Sequence, residues 1–203
     1  MVDLRYAMAL FVTLLLPAIL AFWAVMHGGI ALWRQKGLVW AYSAASVAML
    51  AAIGWAWAFR TQLIGDDLGT HWLTIASGAV IYLATMIGSR PIRKHLDLRT
   101  FAGVPEVRQE AVALIVEGPY AIVRHPRYLM VVLGIAGWCL VCNHLGTYLL
   151  GVGASLGFYL IAMLEERELD ARFGKAYADY RARVPRMFPT PNALTQFWKG
   201  SAS

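Results

Sequence analysis

The sequence predicts an all-α integral membrane protein with five transmembrane helices, the last two forming a hairpin that leads into an amphipathic cytoplasmic tail, and with no Rossmann domain. Three observations carry this. Of the 203 residues, 59% are apolar and only 15% charged, with a mean hydropathy of +0.55, whereas a soluble domain is typically about a quarter charged. Four stretches long enough to cross a bilayer hold no charged residue. The 18 Lys and Arg outnumber the 12 Asp and Glu and gather in particular segments between those stretches. This composition excludes a disordered chain and argues against a soluble enzyme. The basic excess fits an anionic inner-leaflet surface better than nucleic acid. Two cysteines are too few for a disulfide framework.

The uncharged runs are 6–26, 38–59, 72–89 and 145–164, each matching the roughly 20 helical residues that span a hydrocarbon core about 30 Å thick. The first is not a cleaved signal peptide: it is too long, Asp3 precedes it, and no small-residue cleavage site follows. The run 128–143 is shorter, and Asn143-His144-Leu145-Gly146 then makes a polar break. Residues 128–164 are therefore expected to form a helical hairpin, tilted or stopping short of the far headgroups. Arg34 and Lys36 follow the first run, and Arg60 is offset by Asp66 and Asp67 after the second. Segment 90–127 carries seven Lys and Arg, and the tail from Glu165 another seven. The positive-inside rule then puts the N-terminus outside and the 90–127 segment and tail in the cytoplasm, consistent with an odd number of crossings. The expected home is the inner membrane of a prokaryote. Residues 1–89 are expected to be a three-helix scaffold and 90–203 the region that carries chemistry.

In the tail, Leu169, Phe173, Tyr177, Tyr180 and Val184 recur at helical spacing among Arg172, Lys175, Asp179, Arg181 and Arg183, interrupted at Gly174. That is an amphipathic pattern suited to lying on the membrane face or covering a site. Pro185, Pro189 and Pro191 end it.

Two motifs mislead. The glycine-rich stretch from Gly151 to Gly157 lacks the preceding strand a nucleotide loop needs and is better read as small residues for close helix packing. Cys139 and Cys142 form a single CxxC within an apolar helix, so lipid-facing or packing cysteines are the simpler reading. His27 and His71 fall at helix ends, where interfacial solvation accounts for them.

The chemistry-bearing stretch runs from Leu114 to Tyr128. Gly118-Pro119 marks a turn, and Arg124-His125-Pro126 stands at the entrance to the fourth helix, with Pro126 suited to its first position. The open N–H groups of that first turn, with Arg124, His125 and Arg127 beside them, suit a carboxylate or phosphate; they equally suit a cationic membrane anchor. Glu165-Glu166 directly follows the last apolar residue of the fifth helix. Because the two helices form a hairpin, the Arg124/His125/Tyr128 corner and the Glu165/Glu166 corner are expected to face one another. A ligand with an anion at one point and hydroxyls or a cation at another fits such a pair, and S-adenosylmethionine has all three.

The ordered set Gly118-Pro119-Tyr120, Arg124-His125-Pro126-Arg127-Tyr128, Glu165-Glu166, Phe173-Gly174, Tyr177, Tyr180 and Arg183-Val184-Pro185-Arg186 resembles the isoprenylcysteine carboxyl methyltransferase family. The wider group includes the phospholipid methyltransferases. The likeness covers about 110–190; the first three helices match only as generic spans. It implies an S-adenosylmethionine-dependent membrane methyltransferase acting on a hydrophobic acceptor: an isoprenylcysteine carboxylate, a lipid amine or a thiol. Substrate is expected to enter from the membrane, cofactor from the cytoplasm, and no metal is required. Carried over residue by residue, Leu114, Ile115, Tyr120, His125, Pro126, Tyr128 and Glu165 resemble cofactor-pocket residues. Glu165, Glu166 and Arg124 are the expected catalytic set, and Tyr177 and Tyr180 resemble packing residues of a covering tail. Two positions depart from the pattern. Val112 stands where the family often has His. Ile161, one helical turn before Glu165, stands where the isoprenylcysteine enzymes hold a carboxylate with Arg, and it is expected to face the acceptor. A nicotinamide-dependent reductase of the sterol-reductase type and a non-enzymatic membrane accessory are the alternative readings.

Overall fold

The computed structural model describes residues 2–95, 103–108 and 113–191. Helix α1 (Val2–Gly28) is followed by the short α2 (Ile30–Lys36), then α3 (Leu38–Ala58), α4 (Arg60–Ile64) and α5 (Trp72–His95). After α6 (Val104–Arg108) come a 3-10 turn (Gly118–Ala121), α7 (Pro126–Cys142), α8 (Leu145–Phe173) and α9 (Lys175–Arg183). No strand occurs among the described residues; the one β contact is an isolated bridge between Asp67 and His144.

Four of these helices, α1, α3, α5 and α8, are long and apolar enough to cross a membrane, and the 17-residue α7 is a shorter apolar helix. Helix α3 is apolar all round and leaves Trp40, Val47, Leu50, Trp55 and Trp57 exposed. A helix of that kind is stable facing lipid rather than water. The bundle is built from two closely packed pairs, α1 with α3 and α5 with α7, joined by α8, which packs on both α1 and α7. Small residues set the approach. A Cβ on Gly78 of α5 would lie 2.5 Å from the Gly137 carbonyl oxygen of α7, and one on Gly137 would lie 2.8 Å from that of Gly78. Lipid gives helices no hydrophobic reason to associate, so such close backbone contact is what holds them. Gly151 packs the same way on Cys139 and Gly157 on Leu20, while Gly153 faces open space. Cys139 and Cys142 are both buried, so of the two expectations for them, packing holds and lipid exposure does not.

The helices overrun the uncharged runs. Helix α5 continues past Ser89 through Pro91 to His95, and α8 continues past Leu164 through Glu165 and Glu166 to Phe173. Charge ends a membrane span but does not end a helix: Glu, Arg and Leu are all good helix formers. The break comes at Gly174, with φ of 53°, a left-handed conformation that glycine adopts without strain. It turns α9 back onto α8.

The two ends of the bundle are fastened differently. At one end the buried Arg5 donates from Nε to the Cys142 carbonyl at 3.0 Å, from Nη2 to the Asn143 carbonyl at 3.2 Å and from Nη1 to Thr70 Oγ1 at 2.7 Å. It also pairs with Asp67. Asn143 caps α7 in the left-handed region, and Leu68 N–H donates to its carbonyl at 3.1 Å. At the other end lie the start of α7, the Glu165-Glu166 step of α8, and the C-terminal turn of α1, where His27 Nδ1 is 2.9 Å from Glu168 Oε1. His27 is only 7% exposed, which corrects its reading as a solvated interfacial residue.

Candidate active site

Pro126 opens α7 as expected, with His125 at the N-cap. The segment before it is held by the chain after α9: Arg124 N–H donates to the Pro185 carbonyl and His125 N–H to the Arg186 carbonyl, both at 2.9 Å. The side chains converge on Glu166. Its Oε1 accepts from Arg124 Nε at 2.9 Å and Nη2 at 2.8 Å, and lies 3.1 Å from His125 Nε2. Its Oε2 accepts from Arg186 Nη2 at 2.8 Å. Arg124 Nη1 further donates to the carbonyls of Val184 at 2.6 Å and Arg181 at 3.1 Å. Glu166 is 3% exposed. A buried carboxylate is tolerable only when paired and hydrogen-bonded in this way. Glu166 and Arg124 thus lock the tail onto the corner.

Adjacent residues on a helix point about 100° apart, and Glu165 looks elsewhere. It lines a small cavity of about 50 Å³ with Trp23, His27, Tyr120, His125, Arg127 and Tyr128, among others. Glu165 Oε2 is buried and has no hydrogen-bond partner; it lies 3.7 Å from His125 Nδ1 and 3.9 Å from Arg127 Nη2. His27 Nε2, on the same cavity, is likewise buried without a partner. Two such atoms in one space are notable, because buried polar groups are nearly always satisfied. Aromatic rings fill the walls. His125 stacks on Tyr128 with centroids 5.6 Å apart, Trp23 stacks on His27 at 5.4 Å, and the Arg127 guanidinium lies over both Trp23 and Tyr128. Burial pushes the Tyr120 hydroxyl up to about 12, against the opposing pull of Arg127, so it stays a neutral donor at cellular pH. Tyr180 donates to the Tyr120 carbonyl at 2.7 Å, and Tyr177 and Tyr180 are both buried, as packing residues of a covering tail are.

Tyr120, Arg124, His125, Pro126, Tyr128 and Glu165 therefore meet around one cavity. Leu114 and Ile115 are half-buried and do not line it. Glu166 faces away from it into the tail network. Val112 lies outside the described residues. Ile161 is 3% exposed and belongs to the apolar core with Tyr128 and Phe158, so its apolar character serves packing, and it lines neither this cavity nor the larger apolar chamber between α1, α5 and α7. Sequence reasoning missed Trp23 and His27. The signal for them was present: they stand four residues apart on one face of the first helix, at the end where positive charge collects.

Residues 72–176 match the family model of phospholipid methyltransferases. Over 71 residues the chain is 44% identical to methanethiol S-methyltransferase 2 of Bradyrhizobium diazoefficiens, a match covering 34% of this chain and 26% of that protein. Over 77 residues it is 38% identical to the methanethiol S-methyltransferase of Mycobacterium tuberculosis, covering 37% of this chain and 30% of that one. It is 34% identical, again over 77 residues, to a cobalt-zinc-cadmium resistance protein of Cupriavidus metallidurans, covering 37% and 35%. The matched segment thus spans only 26% to 35% of the length of these relatives. No solved structure matches the chain. The family match runs without interruption from the start of α5, through the corner and the hairpin, to the turn into α9, just over half of the chain, and on that ground this integral membrane protein belongs to the phospholipid methyltransferase family.

Proposed function

We propose that this protein is a methyltransferase that uses S-adenosylmethionine and methylates a hydrophobic acceptor drawn from the membrane. The observation that carries the reading is the pair of buried atoms without a hydrogen bond, Glu165 Oε2 and His27 Nε2, on one aromatic-walled cavity beside Arg127. The donor set fits the cofactor's chemistry. A carboxylate accepts from ribose hydroxyls or faces a cation, aromatic faces favour a cation, and Arg127 with the first turn of α7 suits a carboxylate. The cavity, at about 50 Å³, encloses only the reacting end of such a molecule, so its walls part when the whole ligand binds. Bound there, the cofactor supplies a methyl carbon on a positively charged sulfur. The residues of this chain orient it, exclude water and hold the acceptor in line, which is where such a reaction gains most of its rate.

In this reading Tyr120, His125, Tyr128 and Glu165 contact the cofactor, Trp23 and His27 complete its wall, and Glu166 and Arg124 position the tail over it. Residues 1–89 are mainly scaffold and 90–203 carry most of the site. The charge asymmetry supports a site on the cytoplasmic face of a prokaryotic inner membrane, with the N-terminus outside. Two relatives are named for S-methylation of a thiol, which supports a thiol as an acceptor alongside a prenylcysteine carboxylate and a lipid amine. Titration with S-adenosylhomocysteine in detergent tests the cofactor. At 100 times Kd, one-site binding stabilises the fold by about 2.7 kcal/mol, a clear rise in unfolding midpoint. No rise in folded protein, or a rise with NADPH instead, sinks the proposal.

A further inference from the structure

Between α1, α5 and α7 lies a chamber of about 660 Å³, walled by apolar side chains such as Leu16, Ile19, Met86, Met130 and Trp138. Two hydroxyls on its wall are already used: Thr85 Oγ1 donates to the Tyr82 carbonyl at 2.7 Å and Ser89 Oγ to the Thr85 carbonyl at 2.6 Å. Among the described residues its charged groups are two arginines, Arg93 and Arg127. Arg127 also lines the small cavity that holds Glu165, so one guanidinium forms a wall common to both spaces. It stands in the first turn of α7, where the positive end of the helix dipole adds to its charge.

We infer that this chamber holds the methyl acceptor, and that the acceptor is a single-chain amphiphile whose head ionises to an anion, a thiolate or a carboxylate, beside Arg127. The inference rests on the methyltransferase reading and deepens it. Volume sets the chain. A cavity of about 150 Å³ takes a benzene, six carbons, so the chamber has room for roughly 25 carbons, one chain with its head but not an enclosed two-chain lipid. Charge sets the head. Glu165 offsets part of the Arg127 charge from 3.9 Å, but with Arg93 on the same wall an ammonium still meets net like charge, whereas a thiolate or carboxylate is favoured there. The head releases its proton to water. The anion's lone pair then forms the bond to the methyl carbon as the carbon–sulfur bond breaks, its electrons passing to sulfur. Methylated acceptor and thioether both leave uncharged at the reacting atoms, and Arg127 keeps its charge throughout.

Gly134 gives the test. It lines the chamber, and a Cβ there would meet only Thr85 Oγ1, at an ordinary 3.5 Å, so a side chain can start there without a backbone clash at its first atom and take up chamber space. Full-length protein in detergent is titrated with hexadecanoate, hexadecanethiol and hexadecylamine, with binding read from the unfolding midpoint and methyl transfer from labelled S-adenosylmethionine. Hexadecanoate or hexadecanethiol is expected to bind and accept label, and hexadecylamine to do neither. Gly134→Leu is expected to weaken binding of the anionic probe by about tenfold or more, about 1.4 kcal/mol, with the S-adenosylhomocysteine response preserved. Arg93→Gln, at an exposed position, serves if Gly134→Leu folds poorly, and is expected to weaken the anionic probe selectively. Equal binding of the amine, indifference to both variants, or binding without transfer to either anionic probe overturns the inference, the last leaving a niche for bilayer lipid. A failure of S-adenosylhomocysteine itself overturns the methyltransferase reading instead.

Discussion

Glu165→Gln and Glu166→Gln change neighbouring residues identically in chemistry and are expected to fail in opposite ways. Glu166 accepts charged hydrogen bonds from Arg124 and Arg186 at 2.8–2.9 Å and faces His125 at 3.1 Å. Its amide leaves those cations without a countercharge in a buried site, which typically costs about 3–5 kcal/mol. For a chain of this size each kcal/mol moves the midpoint by roughly 2–4 °C, so the expected fall is about 6–20 °C. Glu165 is held by longer contacts, 3.7 Å to His125 and 3.9 Å to Arg127, and its Oε2 has no hydrogen bond, so its amide costs less stability than that of Glu166. What Glu165→Gln removes is a charged acceptor for the ligand. Charged hydrogen bonds contribute about 1.5–3 kcal/mol, a loss of roughly 10- to 150-fold in S-adenosylhomocysteine affinity. The assay is a thermal melt of both variants in detergent, with and without the ligand. A stability loss at Glu165→Gln equal to or larger than that at Glu166→Gln refutes the division of labour. Wild-type affinity in Glu165→Gln removes that residue from the cofactor site.

Truncation after Phe173 removes Arg186 and the carbonyls that hold Arg124 and His125; membrane insertion is expected to persist while S-adenosylhomocysteine affinity falls, and full retention of affinity would make the tail a surface helix only. Gly78→Ala places a Cβ 2.5 Å from the Gly137 carbonyl and is expected to cost about 1–3 kcal/mol, whereas Gly134→Ala stays near wild type; equal midpoints would contradict the close α5–α7 packing. The hydrogen bond from Arg5 holds the Asp67 carboxyl below its ordinary value of 3.8, so its stabilisation is present above about pH 4 and is lost as pH falls through the lowered folded value. Melts from pH 7 to pH 3 are expected to show a smaller acid loss in Asp67→Asn than in wild type, and parallel profiles would rule the pair out as a source of acid sensitivity.

The spans were legible because an uncharged run of bilayer length has few other uses. Their ends were not, because Glu165, Glu166 and Arg167 stop a span while continuing the helix. Arg124-His125-Pro126 and Glu165-Glu166 could be brought together from sequence through the hairpin alone. Which glutamate faces which way could not, since the answer depends on where Arg186 returns after the turn at Gly174. Trp23 and His27 share a face of the first helix in the sequence, but a helix that looks like scaffold reveals a site residue only once its neighbour across the bundle is known. The chamber beside Arg127 had no sequence signature, because its lining reads as ordinary membrane-helix composition.

The knot around Arg5 has a mechanical consequence. It ties the start of α1, the loop before α5 and the tip of the α7–α8 hairpin through one side chain bonded largely to main-chain carbonyls and a carboxylate. Helices pinned at one end separate like the jaws of a clothes peg, with displacement growing with distance from the pivot. An opening that parts His27 from Glu168 would therefore be widest at the opposite end, where Arg127 and Glu165 sit. A long-chain molecule sliding in sideways would then meet a mouth that widens toward the Glu165 cavity, while the far end keeps the helices in register for the next closure.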